Sequence, residues 1–202
     1  MKIPIFDLDG SLLDSAPDIG NALNEIRREF DLEPLTIDFI RTKIGGGLGS
    51  LLRDTKSVPD ASQVPRARDI FMAHYGRNLL SHSAPFDGVE TLLSECSIRG
   101  LVTNKPRRFG KEIIEQLGWT FTVSVYGDDG YGQKPEPGPI ARAIDLIGYN
   151  ASDIVYFGDS DADVLAAQAC GVAVWLFPWS CAEGFDSYKV AHLDVIRGII
   201  HG

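Results

Sequence analysis

Cysteine is scarce in this chain: among 202 residues there are three, Cys96, Cys170 and Cys181. They form no CxxC pair and no even-numbered framework, which excludes a disulfide-stapled scaffold and leaves reduced thiols in a cytoplasmic protein as the expectation. Positive charge is also in short supply, with 19 Lys+Arg against 28 Asp+Glu and a net charge of −9. Proteins that grip phosphate backbones carry the opposite sign, so nucleic acid is excluded as a partner and the few cations are expected to act locally. No stretch of 18 consecutive apolar residues exists, so no membrane span is expected. The opening MKIPIFDLDG holds no apolar run of signal-peptide length. The four histidines (74, 82, 192 and 201) stand apart from every acidic motif, which argues against a zinc hydrolase. There is no internal repeat and no low-complexity tract.

What remains is an ordinary globular mixture, 44% hydrophobic and 23% charged. The length suits one large domain, or one domain with an insert. Ile3 to Phe6 reads as a strand that stops abruptly at Asp7, although Pro4 is awkward in a central strand because it cannot donate to the ladder. From Ser15 to about Ser83 no strand-like run appears. Ile19, Ala22, Leu23, Ile26 and Phe30 recur at helical spacing after Pro17, and further helices are expected over 36–43, 47–55 and 64–81. After Pro85 the pattern changes to alternation: helix 88–96, strand 98–103, helix 107–117, strand 121–126, helix 137–148, strand 154–157, helix 161–170, strand 172–177. Strands that are apolar almost throughout and alternate with helices indicate a parallel sheet covered on both faces. The expected fold is therefore α/β, a doubly wound, Rossmann-like parallel sheet, with residues 1–14 and 85–202 as core and an inserted all-helical cap over 15–84.

Open parallel sheets bind ligands beyond the carboxyl ends of their strands, so the residues there carry the functional reading. The first strand ends in Asp7-Leu8-Asp9-Gly10-Ser11 and the second in Thr103-Asn104-Lys105. Lys134-Pro135 lies in the loop after the third, and Gly158-Asp159-Ser160-Asp161-Ala162-Asp163 follows the fourth. Asp-x-Asp alone is uninformative: with 19 aspartates, about two such pairs arise by chance and the chain has three. Either Asp7 or Asp159 alone would serve equally as a helix N-cap. Their common placement at one sheet edge is what points to chemistry. Asp7 and Asp159, from separate strands, suit a hard cation such as Mg²⁺. Asp7 and Asp9 alternate along an extended segment, so both can address one reacting group, one attacking while the other manages protons. The Thr103 hydroxyl, nearby backbone N–H groups and Lys134 would cradle an anion. Lys134 is the only lysine between Lys111 and Lys189. Nucleophilic carboxylate, Mg²⁺ and anion cradle together suit phosphoryl transfer.

Four ordered motifs, DLDGS, the threonine of LVTNKP, the lysine of QKPEP and GDSDADVLAA, resemble the haloacid dehalogenase superfamily, specifically its phosphatases with a helical cap after the first motif. The resemblance runs from Ile5 to about Gly171, and the strings DSAPDI and TNKP look most like its phosphoglycolate phosphatases. It implies Asp7 as a nucleophile forming an aspartyl-phosphate, Asp9 as general acid and then base, and Thr103, Asn104 and Lys134 as holders of the phosphoryl group. It also implies Mg²⁺ held by Asp7, the carbonyl of Asp9 and Asp159, with Asp163 close behind. Ser11 stands where threonine is usual, and the stretch VWLFPWSCAEGF at 174–185 departs from the pattern.

The substrate is then expected to be a small phosphorylated metabolite, handled by a monomer or homodimer. Arg41, Lys43 or Arg53 on the cap would meet a substrate carboxylate, with a solvated helix face as the plainer reading. Lys105, Arg107, Arg108 and Lys111 read as a solvated helix start, Cys170 as a core residue, and IGGGLGS at 44–50 as a turn between cap helices and not a dinucleotide loop. A sugar phosphomutase or a broad sugar or nucleotide phosphatase would share all four motifs. Dehalogenation leaves Asp9 without a task. A receiver domain shares the acidic site but has no helical insert, and a catalytically silent phosphate-binding module would be expected to lack a motif residue.

Overall fold

Strands buried on both faces have no polar side to show, and the apolar runs of this chain fold accordingly. A computed structural model describes residues 1–202. The order is β1 (Ile3–Phe6), β2 (Leu13–Asp14), α1 (Ala16–Glu29), α2 (Ile37–Arg41), α3 (Gly47–Asp54), α4 (Val64–Tyr75), β3 (Ala84–Pro85) and α5 (Val89–Ser94). Then follow β4 (Gly100–Val102), α6 (Arg107–Gln116), β5 (Val123–Val125), α7 (Gly138–Ile147), β6 (Ile154–Gly158), α8 (Asp161–Ala169), β7 (Ala173–Leu176) and α9 (Leu193–His201). Five strands form one sheet in the order β5-β4-β1-β6-β7, every pair parallel. It is the doubly wound α/β architecture expected from the alternation.

The pleat divides the core. Ile3 and Ile5 of β1 join Val102 and Tyr156 in one buried cluster, while Phe6 joins Val155 and Phe157 in the other. That second cluster is continuous with Ile19, Leu23 and Ile26 of α1 and Phe71 and Tyr75 of α4. Helices and sheet therefore share one hydrophobic mass. Pro4 is tolerated because β4 begins only opposite Ile5, so β6 alone runs beside the proline.

The four helices α1 to α4 leave and re-enter the α/β part through β2 and β3, which pair antiparallel, Leu13 with Pro85 and Asp14 with Ala84. Two-residue strands are too short to show a period, so neither is legible in the sequence. Asp18 fastens the same junction: wholly buried, it accepts bonds from the backbone N–H groups of His82 and Ser83 at 2.9 and 2.8 Å and from the Ser83 hydroxyl at 2.8 Å. Arg27, at the far end of α1, is also buried and donates to the carbonyls of Glu33 (2.6 Å) and Thr55 (3.0 Å). The helix expected over 64–81 stops at Tyr75, where Gly76 takes the C-cap. The C-terminal α9 is an addition to the expected strands and helices. No helix is long and apolar enough to cross a membrane.

Candidate active site

The carboxyl ends of β1 and β6 are neighbours in register, Phe6 beside Phe157, and this brings Asp7 and Asp159 to one place. Gly10 lets the turn after β1 pack directly on Asp159: it has φ of +81°, and a Cβ there would collide with the Asp159 carboxylate. Ser11 donates to Asp159 Oδ1 at 2.7 Å, so the hydroxyl kept at that position has a partner. Asp163, at the third position of α8, accepts from the backbone N–H and hydroxyl of Ser160 at 3.0 and 2.6 Å, a capping box that pins its carboxylate beneath the β6 loop. One oxygen from each of Asp7, Asp159 and Asp163 lies within 4.8 Å of the others.

Lys134 enters this cluster from the loop before α7. Its ammonium stands 2.6 Å from Asp163 Oδ1 and 2.8 Å from Asp7 Oδ1, and also donates to the Val102 carbonyl and the Tyr156 hydroxyl. Asn104 holds the lysine's backbone with both ends of its amide: Nδ2 donates to the Lys134 carbonyl and Oδ1 accepts from the Lys134 N–H, each at 2.8 Å. The same Nδ2 donates to the Gly45 carbonyl at 2.9 Å, tying this loop to the α2–α3 turn. Thr103 accepts from the Lys105 N–H at 3.1 Å.

These environments separate the acids. Burial, above all, pushes the Asp7 carboxyl up to about 7; Lys134 opposes the rise, and the Asp163 and Asp9 charges add to it. Burial also drives Asp159 well above the carboxylate range, reinforced by Asp163 and Asp7. For Asp163 burial works upward too, but Lys134 and the Ser160 bonds outweigh it and hold the group below its ordinary value. Burial would lower Lys134, yet Asp163 and Asp7 keep it above the ordinary lysine value. Two buried acids disfavoured as anions, with Asp7 Oδ1 lacking a well-aligned hydrogen bond, make an oxygen-only donor set that a divalent cation would relieve. That chemistry fits Mg²⁺.

Asp9 stands apart from the trio. Its two oxygens take 2.7 and 2.9 Å bonds from the Lys105 ammonium, which is itself buried and sits 4.7 Å from the centre of the Tyr75 ring. The solvated helix start expected for the basic run holds for Arg107, Arg108 and Lys111 but not for Lys105, because α4 lays Tyr75 over it. The signal that could have found it was position, directly beyond a strand end. Asp7, Asp9, Thr103, Asn104 and Lys105 open on one small cavity, about 70 Å³, walled by α3 and α4.

The three cap cations do not line that cavity. Arg53 is exposed and bonded to Ser50 and Asp54. Arg41 is engaged by Asp14 at 3.0 Å and Asp38 at 2.6 Å. Arg41 and Lys43 instead border a separate polar cleft with Asp159, Ser160 and Asp161. The anomalous 174–185 stretch proves to be a brace: Trp179 stacks on Phe177 and Phe86, its indole N–H donates to the carbonyls of Gly10 and Ser11, and Ser180 bonds the Asp159 carbonyl. Cys170 is only partly buried, its thiol on the Pro137 carbonyl.

The sequence model of the haloacid dehalogenase-like hydrolases matches residues 4–177. The chain is 34% identical over 205 residues to a phosphoglycolate phosphatase of Xanthomonas campestris pv. campestris, covering 97% of this chain and 93% of that one. It is 38% identical over 198 residues to a phosphoglycolate phosphatase of Xylella fastidiosa, covering 95% and 86%. Among solved structures, a haloacid dehalogenase-like family hydrolase from Streptococcus pneumoniae superposes with a TM-score of 0.85 at 21% identity, over 98% of each chain.

Proposed function

The chain belongs to the haloacid dehalogenase-like hydrolases, and we propose that it is a Mg²⁺-dependent phosphatase of small phosphomonoesters of the phosphoglycolate kind. The observation that carries this reading is the set of three buried carboxylates, Asp7, Asp159 and Asp163, gathered at adjacent strand ends around the Lys134 ammonium. Three carboxylates around one ammonium leave an excess of negative charge that a divalent cation would offset, so that a phosphoryl dianion could lie beside one of them.

In this reading residues 15–84 are the cap, and residues 1–14 with 85–202 the catalytic core. An Asp7 oxygen attacks phosphorus, the bond from phosphorus to the ester oxygen breaks, and the departing oxygen takes a proton from Asp9. Water, giving its proton to Asp9, then attacks the aspartyl-phosphate, releasing phosphate and restoring Asp7. Lys134 and the Thr103 hydroxyl hold the phosphoryl oxygens, and Asn104 fixes Lys134 in place. Mg²⁺ would be held by Asp7 and Asp159, with Asp163 and the Asp9 carbonyl beside them, and would supply charge compensation on the transferring group. The helices over the site exclude water from it. Three unpaired cysteines are consistent with a cytoplasmic setting.

The name shared by the curated relatives, phosphoglycolate phosphatase, supports the substrate class. A phosphate-release screen over small phosphorylated metabolites with Mg²⁺ present tests the reading. Phosphoglycolate should rank first, at least about tenfold above an uncharged ester of similar size in kcat/KM, as one charge-assisted contact implies. A sugar phosphate ranking first would favour the mutase-like or general phosphatase reading.

A further inference from the structure

The cavity above Asp7 and Asp9 is walled mainly by Ile44, Leu48, Leu51, Phe71 and Met72, and Lys105 is the one cation on its surface. An ammonium carries three N–H donors. Two contacts of Lys105 go to the two Asp9 oxygens, so one donor is left on the side of the Tyr75 phenol without a well-aligned bond. Beside it Tyr75 is almost fully buried, its ring held edge-on against Phe109 and stacked on Phe71, yet its hydroxyl has no well-aligned hydrogen bond, the Lys105 ammonium being the one polar group that approaches it. Lys105 lies near enough to act on that phenol electrostatically, and burial foremost pushes the Tyr75 pKa up to about 12, so the hydroxyl keeps its proton and remains a donor. A buried donor without a well-placed acceptor is costly and calls for a partner.

We propose that Lys105 and Tyr75 together form the subsite for a carboxylate on the substrate, which makes the preferred substrate a short phosphorylated hydroxy acid. This rests on the phosphatase reading of the same site. A carboxylate offers only acceptors, one oxygen for the free ammonium donor and one for the orphaned phenol. A polyol phosphate needs polar partners along its whole length, and the apolar walls provide none. The subsite also replaces Arg41, Lys43 and Arg53 as the source of specificity: the discriminating cation comes from the core loop after β4, and the discriminating hydroxyl from the last residue of α4. Substrate would thereby bridge helical block and sheet.

The test separates binding from turnover. Calorimetry with Mg²⁺ present compares 3-phosphonopropionate, a stable isostere of phosphoglycolate, with propylphosphonate, which lacks the carboxylate. The wild type should bind the first about tenfold or more tightly. Lys105→Met should bring that ratio close to one, Lys105→Arg should restore part of it, and Tyr75→Phe should lower it about threefold. If Lys105→Met does not fold, Tyr75→Phe, which removes a single oxygen from an intact ring, carries the test. Variants that weaken both phosphonates equally would assign Lys105 to the phosphoryl end and overturn the proposal, as would a wild type without preference. Turnover is scored separately on phosphoglycolate and 2-hydroxyethyl phosphate. Absence of hydrolysis of either ester would defeat the phosphatase reading, whereas hydrolysis of both with an unmoved binding ratio would defeat only the carboxylate subsite.

Discussion

Lys134 Nζ and Asp163 Oδ1 are 2.6 Å apart with both side chains almost wholly removed from solvent. Such a pair is a modest source of stability when intact, but removing one partner strands the other, at about 3–5 kcal/mol. Lys134 also faces Asp7, so Lys134→Met leaves two acids uncompensated. It should lower unfolding free energy by at least that amount in urea titrations, besides abolishing turnover. A variant as stable as wild type would mean that the ammonium is not what keeps these acids together.

Asp7→Asn should separate function from stability. The Asp7 carboxyl is raised from 3.8 to about 7, burial being the main cause. A raised acid binds more protons folded than unfolded, so its contribution to stability falls as pH rises from about 4 through 7. At about 1.4 kcal/mol per pH unit, the ceiling is roughly 4 kcal/mol. Metal-free Asp7→Asn should therefore be more stable than metal-free wild type at pH 8 and equal to it near pH 4, while its turnover vanishes. Retention of a tenth of wild-type activity would remove Asp7 from the nucleophile's role.

For Asp9 the discriminating variable is the leaving group. Proton donation contributes roughly 10²–10⁴ in rate where the departing oxygen is a poor leaving group. Asp9→Asn should lose that factor on alkyl phosphates and much less on p-nitrophenyl phosphate, whose phenolate departs unaided. Equal losses on both would point to a structural part for Asp9, through its bonds to Lys105.

Chelation should silence the enzyme and millimolar Mg²⁺ should restore it. A readout independent of turnover is available, because a ligand at a hundred times its Kd stabilises the folded state by about 2.7 kcal/mol. Mg²⁺ should raise the wild-type Tm and leave that of Asp159→Asn unmoved, since Asp159 is one of the three clustered carboxylates. Full activity after exhaustive chelation would sink the metal assignment.

The strand ends were legible because each apolar run breaks at a residue too polar for the sheet interior: Asp7, Thr103 and Asp159 all follow directly on β1, β4 and β6. Parallel order and shared register did the rest. Lys105 was legible only from its place in the run Thr103-Asn104-Lys105 beyond β4, since a lysine just ahead of two arginines at a helix start has the local marks of a solvated residue. Its burial comes from Tyr75, thirty positions away and on another helix. Arg41 shows the converse: its place beside the turn at 44–50 suggests a contact to a substrate carboxylate or a solvated helix face, whereas Asp14, on the strand that leads into the helical block, engages it. Local pattern reports which residues must leave the sheet, and long-range packing decides which of them are covered again.

Asp18 offers the last prediction, because it lies in the DSAPDI string yet touches neither cavity nor acids. It is wholly buried and accepts from two backbone N–H groups and a hydroxyl in the 82–83 segment, just before β3. Burial acts to raise its pKa, but the bonds from His82 and Ser83 outweigh that and hold it below 3.8. A depressed acid contributes stability that is present above the unfolded value and lost as pH falls through the folded one. The His82 ring also lies 3.0 Å from Asp18 Oδ1, so the contribution should persist from neutral pH down to about 4 and disappear only below. Asp18→Ala strands three donors at the junction between the helical block and the sheet, and each unsatisfied buried donor costs about 1–3 kcal/mol, partly recovered by water. The variant should lose at least about 2 kcal/mol in urea titrations at pH 7. Because the junction sets how α1 and α4 sit over the cavity, KM should rise more than kcat falls. Loss of kcat with KM unchanged would place Asp18 in the chemistry instead, and an undiminished stability would show that β2 and β3 hold the junction without it.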